Sequence, residues 1–388
     1  MATTTALTLS PQTLDDSLAS LVERFSERAC EHDRDATFPF ENFEALGQAG
    51  FLSATVPKSL GGGGVSLAVA RRVIAGIAGV EPSTALVLTM QYLFHVAIAD
   101  NDRWPAGLRE RIQRDAVQQG ALINALRVEP ELGTPARGGL PATVARRIEK
   151  GWILSGHKLY STGIPVLTWL GVWGRCDEER PRTGFFLVHR DTPGIRIVES
   201  WNHLGLRASG SHEVIFEEVL IPASHAAELR PPEEWPTAAS ASQQAWNAVL
   251  LSALYDAIAR SAHAWLLTFL QTRVPSNLGA PLASLPRFQE AVGRIEALLW
   301  ENAVLLDCAT AAVDSNVPRP PTESNLLKYV VTNNAIKAVE SALELTGNHG
   351  LSRHNPLERH YRDVLCSRIH TPQNDFILTA AGRQACEA

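Results

Sequence analysis

The chain of 388 residues is poor in the features that mark several common chemistries. Its five cysteines, Cys30, Cys176, Cys308, Cys366 and Cys386, are odd in number and follow no paired spacing. That argues against a disulfide framework or a zinc site and suits a reducing cytoplasm. Lys and Arg number 35 against 41 Asp and Glu, a formal charge of −6, so there is no basic footprint for nucleic acid. No Gly-x-Gly-x-x-Gly follows a strand-like run, and no Gly-Lys-Ser/Thr follows Gly61-Gly62-Gly63-Gly64. A Rossmann nicotinamide site has no support and a P-loop is out. No uninterrupted apolar run is long enough to span a bilayer, and the Thr-rich Met1 to Pro11 lacks a basic region followed by an apolar core. A cytoplasmic protein without membrane or nucleic-acid partners is expected.

What is present has an order. Helical periodicity covers residues 14–29 and 40–49, then two charge-poor stretches at 65–79 and 84–99. From residue 121 to about 226 the chain breaks into short β-type runs bounded by Gly, Pro and Asp, among them 142–148, 152–154, 169–174, 184–188, 195–198 and 213–216. Long helical patterns return at 244–273, 286–313, 323–344 and 357–369, with a short tail helix after Pro372. Thr371-Pro372 should stop one helix and start the next, Thr as N-cap and Pro at the first helical position. The expected fold class is α+β. It has an N-terminal helical domain (1–120), a central antiparallel β domain (121–236) and a C-terminal four-helix bundle (237–388).

Four stretches carry more information than their periodicity. Near the N-terminus Phe38-Pro39-Phe40-Glu41, Leu46, Gly50-Phe51-Leu52 and Val56-Pro57 precede the four glycines. In the β region stand Glu129-Pro130-Glu131-Leu132-Gly133 and Gly156-His157-Lys158-Leu159-Tyr160-Ser161-Thr162-Gly163. Leu204-Gly205-Leu206-Arg207-Ala208-Ser209 leads to Phe216, Val219 and Ile221-Pro222. Last, Gly347-Asn348-His349-Gly350 is followed by Pro356-Leu357-Glu358-Arg359-His360-Tyr361-Arg362-Asp363 and by Ile369-His370-Thr371-Pro372-Gln373-Asn374-Asp375. In this order they resemble the signatures of the acyl-CoA dehydrogenase superfamily, over nearly the whole chain.

The resemblance implies a flavin, FAD or FMN, and a homotetramer, to which the charge-poor helical faces around residues 249–259 and 335–345 would contribute. It implies that Tyr160, Ser161 and Thr162 cover the isoalloxazine ring, with Thr162 near N5, and that Glu129, Arg273, Gly347 and Asn348 belong to the cofactor site. It also exposes departures. The family's catalytic carboxylate falls on Thr371, and the alternative base position of the isovaleryl-type relatives falls on Asn247. Neither side chain abstracts a proton from carbon near neutral pH. Ala245 and Ala248 stand where an Asp and an Arg anchor acyl-CoA in the medium-chain branch. Glu129 and Asp256 are the carboxylates to inspect as a relocated base.

Arg368-Ile369-His370-Thr371 and Asp375 instead resemble the corner of the superfamily's flavin-dependent monooxygenase branch, the dibenzothiophene-desulfurising and hydroxyphenylacetate type. Those enzymes take reduced flavin from a separate reductase and react it with oxygen. Such chemistry needs a dry pocket with donors rather than a strong base. His370 and Thr162 are then the catalytic candidates, with Asn124 and His95 completing a polar ring. Two readings stand beside the monooxygenase: an acyl-CoA dehydrogenase with a relocated base, and a non-catalytic flavin-binding relative.

Overall fold

The structure is a computed structural model that describes residues 11–132, 139–237 and 239–387. Gly133 and residues 1–10 lie outside that range. Five helices come first: α1 (Pro11–Asp35), α2 (Phe40–Gln48), α3 (Leu67–Ala78), α4 (Pro82–Ala99) and α5 (Ala106–Gln119). The strands are β1 (Leu122–Leu126), β2 (Val144–Ile148), β3 (Gly151–Ser161), β4 (Leu167–Cys176), β5 (Thr183–His189), β6 (Ile195–Val198), β7 (His212–Pro222) and β8 (Ala226–Arg230). Helices α6 (Ala241–Thr272), α7 (Pro286–Asp314), α8 (Pro321–Thr346), α9 (Asn348–Leu351), α10 (Leu357–Leu365) and α11 (Asn374–Glu387) complete the chain. The order of helices, sheet and helices is the expected one.

The strands form one sheet, β6-β7-β3-β2-β4-β5-β8, with β1 added beside β4. Most neighbours are antiparallel, but β1 and β2 each pair with β4 in parallel. Helix α5 was not foreseen, because its charged sequence leaves only Leu108, Ile112, Gln113 and Ala116 buried, a stripe one turn apart. The four glycines pack rather than cradle a ligand. A Cβ on Gly62 would lie 2.3 Å from the Val56 carbonyl oxygen, and one on Gly63 2.7 Å from that of Ala54. The backbone N–H groups of Leu67 and Ala68 at the start of α3 donate to the Asp314 carboxylate.

Helix α6 is the axis of the C-terminal domain. Ser240 and Gln243 close a capping box at its start, and α3, α4, α7, α8 and α10 pack around it. Val249 to Ala259 is therefore buried within the chain itself, and so is the inner face of α8 at Ala335, Ile336, Val339 and Ala342. These faces need no partner subunit to leave water, which removes that argument for a tetramer. Helix α4 is long and apolar enough to cross a membrane, yet 72% of it is buried in the protein. It is a core helix.

The C-terminal corner is longer than expected. Helix α10 ends at Leu365, a 3-10 turn covers Cys366–Arg368, and α11 starts only at Asn374. Thr371 and Pro372 lie between the helices, joined by a cis peptide bond. Thr371 is thus not the N-cap of the last helix.

Candidate active site

Two groups of polar side chains stand out, one built on strands and one on helices. The strand group starts where β3 ends. Tyr160 takes a left-handed φ of 53°, which turns its ring outward; it is 52% exposed and meets Trp201 and His203 edge-on. Ser161 is buried, and its hydroxyl has no hydrogen-bond partner. The Thr162 hydroxyl lies 2.9 Å from that of Ser211, which lies 2.8 Å from that of Ser209. Asn124, from β1, donates through Nδ2 to the Thr162 carbonyl at 3.0 Å. Gly163 follows with φ 80°, and a Cβ there would sit 2.7 Å from Val87 of α4. The turn therefore needs glycine.

The helix group surrounds the corner after α10. The His370 imidazole is not free to face a cavity, as its place before Thr371 suggested. Its Nδ1 lies 2.6 Å from the hydroxyl of Tyr255, a fully buried residue of α6. Burial holds the Tyr255 phenol protonated, well above its ordinary pKa. Burial also pushes His370 down to about 4, helped by the nearby Lys328 charge, while the Cys366 carbonyl pulls the other way. At neutral pH the pair is a phenol donating to a neutral imidazole. Lys328 of α8 is buried, and its ammonium donates to the carbonyls of His370 and Pro372, both at 2.8 Å. Burial brings Lys328 down to about 8. Tyr255 and Lys328 were not named from the sequence because each is one of several polar residues on a long helix, 115 and 42 residues from His370.

Other candidates stand elsewhere. His95 has no exposed surface, and burial pushes it down to about 3. Its Nε2 meets the amide of Gln91, whose side chain also bonds Leu52, Ala121 and Ile123 main-chain groups. It belongs to the core between α4 and β1. Glu129 accepts from Ala142 N, Thr143 N, Thr143 Oγ1 and the Lys158 ammonium. Burial would raise its carboxyl, but Lys158 and these bonds hold it below the usual range. That carboxylate ties Ala142 and Thr143 to the Lys158 ammonium. Asp256 is likewise held by Arg260 and Asn302.

Arg273, Gly347 and Asn348 are exposed at one end of the bundle, where the rings of Phe269 and His349 meet. Arg273 is 18 residues beyond Tyr255, about 27 Å along a helix of 1.5 Å rise. The structure does not bring these three to His370. Thr371 is exposed and Asn247 half-buried. Two surface clefts also lie apart from these groups. One of about 440 Å³ lies between α7 and α8; one of about 230 Å³ lies among α3, α6 and α7 and shares only Asp256 with the candidates.

Among the described residues, the strand and helix groups share no hydrogen bond. The strand group has the chemistry an isoalloxazine ring takes: an exposed aromatic face at Tyr160, an unpaired buried hydroxyl at Ser161 and the Thr162 hydroxyl. The residues present fit a flavin ring.

Comparison with known sequences agrees over most of the chain. The acyl-CoA dehydrogenase N-terminal domain matches residues 11–101, the middle domain 127–219 and the C-terminal domain 245–383. "Putative acyl-CoA dehydrogenase YdbM" of Bacillus subtilis is 29% identical, covering 96% of each chain. The amino sugar nitrososynthase RubN8 of Streptomyces rubradiris is 30% identical over 95% of this chain and 88% of its own. Among solved structures, KijD3 in complex with FMN and dTDP-3-amino-2,3,6-trideoxy-4-keto-3-methyl-D-glucose superposes with a TM-score of 0.85 and 28% identity. That match covers 100% of this chain and 97% of that one.

Proposed function

The chain belongs to the acyl-CoA dehydrogenase family, and from that premise we propose that it is a flavin-dependent oxidoreductase that uses oxygen, a monooxygenase supplied with reduced flavin by a separate reductase. One observation carries this reading. The base positions hold Thr371 and Asn247, and the two carboxylates that could replace them, Glu129 and Asp256, are tied into ion pairs. Desaturating an acyl thioester needs a base at the substrate carbon, and losing a positioned base costs about 10²–10⁴-fold in rate. Oxygen transfer needs neutral donors in a dry site instead.

When bound, the flavin (FMN or FAD) supplies the two-electron chemistry and the position at which oxygen reacts. The chain's own residues supply the setting. Ser161 and Thr162 would hold the ring from the strand side, and Tyr160 would cover it. Tyr255 fixes His370 by donating to Nδ1, so the imidazole carries its proton on Nε2. Lys328 clamps the corner on both sides of Thr371. The nitrososynthase and the FMN-bound KijD3 support FMN as cofactor and an amine as substrate class. A homotetramer remains part of the proposal, now resting on Trp300 and Val304, which are exposed one turn apart on α7. Light scattering that gives a monomer at micromolar concentration would remove it.

The reaction is tested by supplying the FMN-loaded protein with reduced flavin, oxygen and amino-sugar substrates, and following oxygen uptake against product. His370→Ala should keep flavin affinity and lose coupling of oxygen uptake to product. Wild-type coupling in that variant would leave His370 without a part in oxygen transfer.

A further inference from the structure

We infer that Asp363 is a positioning residue: from α10 it sets the loop that holds Thr162, so that the C-terminal domain fixes the strand side of the candidate site. Asp363 is 2% exposed, and its Oδ1 accepts the N–H of Leu206 at 2.7 Å. Leu206 has a left-handed φ of 50°, a conformation that a branched side chain holds only when its surroundings impose it. From there the bonding continues without a gap. The Leu206 carbonyl accepts from Ser209 N at 3.0 Å and from the Trp201 indole at 3.1 Å. The Ser209 carbonyl accepts from Gly163 N at 3.0 Å. The Ser209 hydroxyl meets Ser211, and Ser211 meets Thr162.

The loop has no room to drift from α10. A Cβ on Gly205 would lie 2.3 Å from the Arg362 carbonyl oxygen, so main chain packs on main chain. Arg362 ties the same joint on its other sides, donating to both oxygens of Asp33 in α1, to Glu358 and to the Leu204 carbonyl. Three domains therefore meet at consecutive residues of α10. Burial pushes the Asp363 carboxyl up to about 7, against the pull of Leu206 N. A buried polar group so placed is retained at a cost, which its grip on Leu206 offsets.

The inference rests on the reading that Thr162 belongs to the flavin site, and the experiment separates the two. Amide hydrogen exchange is measured on the full chain without ligand, following peptides over 200–212 and 160–167. Asp363→Ala should speed exchange in both, on the order of tenfold for the loss of one buried bond. Asp363→Asn keeps the acceptor oxygen and should exchange as wild type does. Ser211→Ala cuts the far end and should loosen 160–167 alone. If Asp363→Ala loosens 200–212 but leaves 160–167 unchanged, the relay is wrong. Failure of Asp363→Asn to restore protection would overturn it too. Should Asp363→Ala unfold, the other two variants decide: wild-type exchange at 160–167 in Ser211→Ala removes the hydroxyl branch, and faster exchange in Asp363→Asn overturns the relay. FMN titration of the same proteins is the second readout. Exchange as expected with unchanged FMN affinity would leave the relay standing and remove Thr162 from the flavin site.

Discussion

On the strand side, Thr162, Ser211, Ser209 and Asn124 are linked by bonds among neutral groups, none of which titrates near neutral pH. On the helix side, a buried ammonium is tethered to two carbonyls beside an imidazole that burial keeps neutral. The strand hydroxyls and the Asn124 amide depend on geometry, and the titratable group that reaches them is Asp363, on α10. The helix side depends on which groups carry protons. Oxygen chemistry demands donors held still and no strong base nearby.

The largest expected effect is on acid stability, where His370 of the helix side should respond and the strand hydroxyls should not. His370 is held near 4, and the buried His95 and His360 near 3. Each is depressed from an unfolded value near 6.5, so its contribution is complete above that value and is lost as pH falls toward the folded one. Each adds at most about 1.4 kcal/mol per pH unit of slope. His370→Gln should flatten the stability profile between pH 6.5 and 4 by one such increment, whereas Thr162→Val should leave its shape unchanged. Denaturant melts across that range decide the matter, and equal slopes in both variants would erase the contrast.

Lys328→Met comes next. It leaves two buried carbonyls unpaired, at about 1–3 kcal/mol each, and removing a buried charge offsets part of that. A net loss of about 1–3 kcal/mol in chemical denaturation is expected. With the cation gone, His370 should also titrate at higher pH by NMR; an unchanged His370 titration would show that the ammonium does not act on the imidazole.

On the strand side Tyr160, Ser161 and Thr162 are contiguous and were named together from the resemblance, whereas Ser211, 49 residues from Thr162, was not named. On the helix side His370 was legible at its corner, but Tyr255 and Lys328 sit in helices whose burial is nearly all round, and periodicity gives no face to such a helix. Glu129 and His95 were named without sight of the bonds they make inside the fold. A buried polar side chain looks the same in sequence whether it meets a ligand or is satisfied by its own fold.

Two smaller effects sharpen the comparison. Tyr255→Phe removes the donor to His370 at a cost of about 0.5–1.5 kcal/mol, and it should free the tautomer so that coupling falls without loss of flavin affinity. Ser211→Ala breaks both links of the buried Ser211 hydroxyl, to Thr162 and to Ser209, should cost about 0.5–1.5 kcal/mol, and should weaken flavin binding modestly. If flavin titrations show the reverse, with Tyr255→Phe losing affinity and Ser211→Ala losing coupling, the roles assigned to the two sides are exchanged.

The most direct test of the central claim is anaerobic mixing of the flavin-loaded protein with straight-chain and branched acyl-CoAs, followed by flavin absorbance. With Thr371 and Asn247 at the base positions, and Glu129 and Asp256 in ion pairs, the oxidised flavin spectrum should persist through the mixing time. Rapid bleaching would mean that a base reaches the substrate carbon, and the chain would then be an acyl-CoA dehydrogenase.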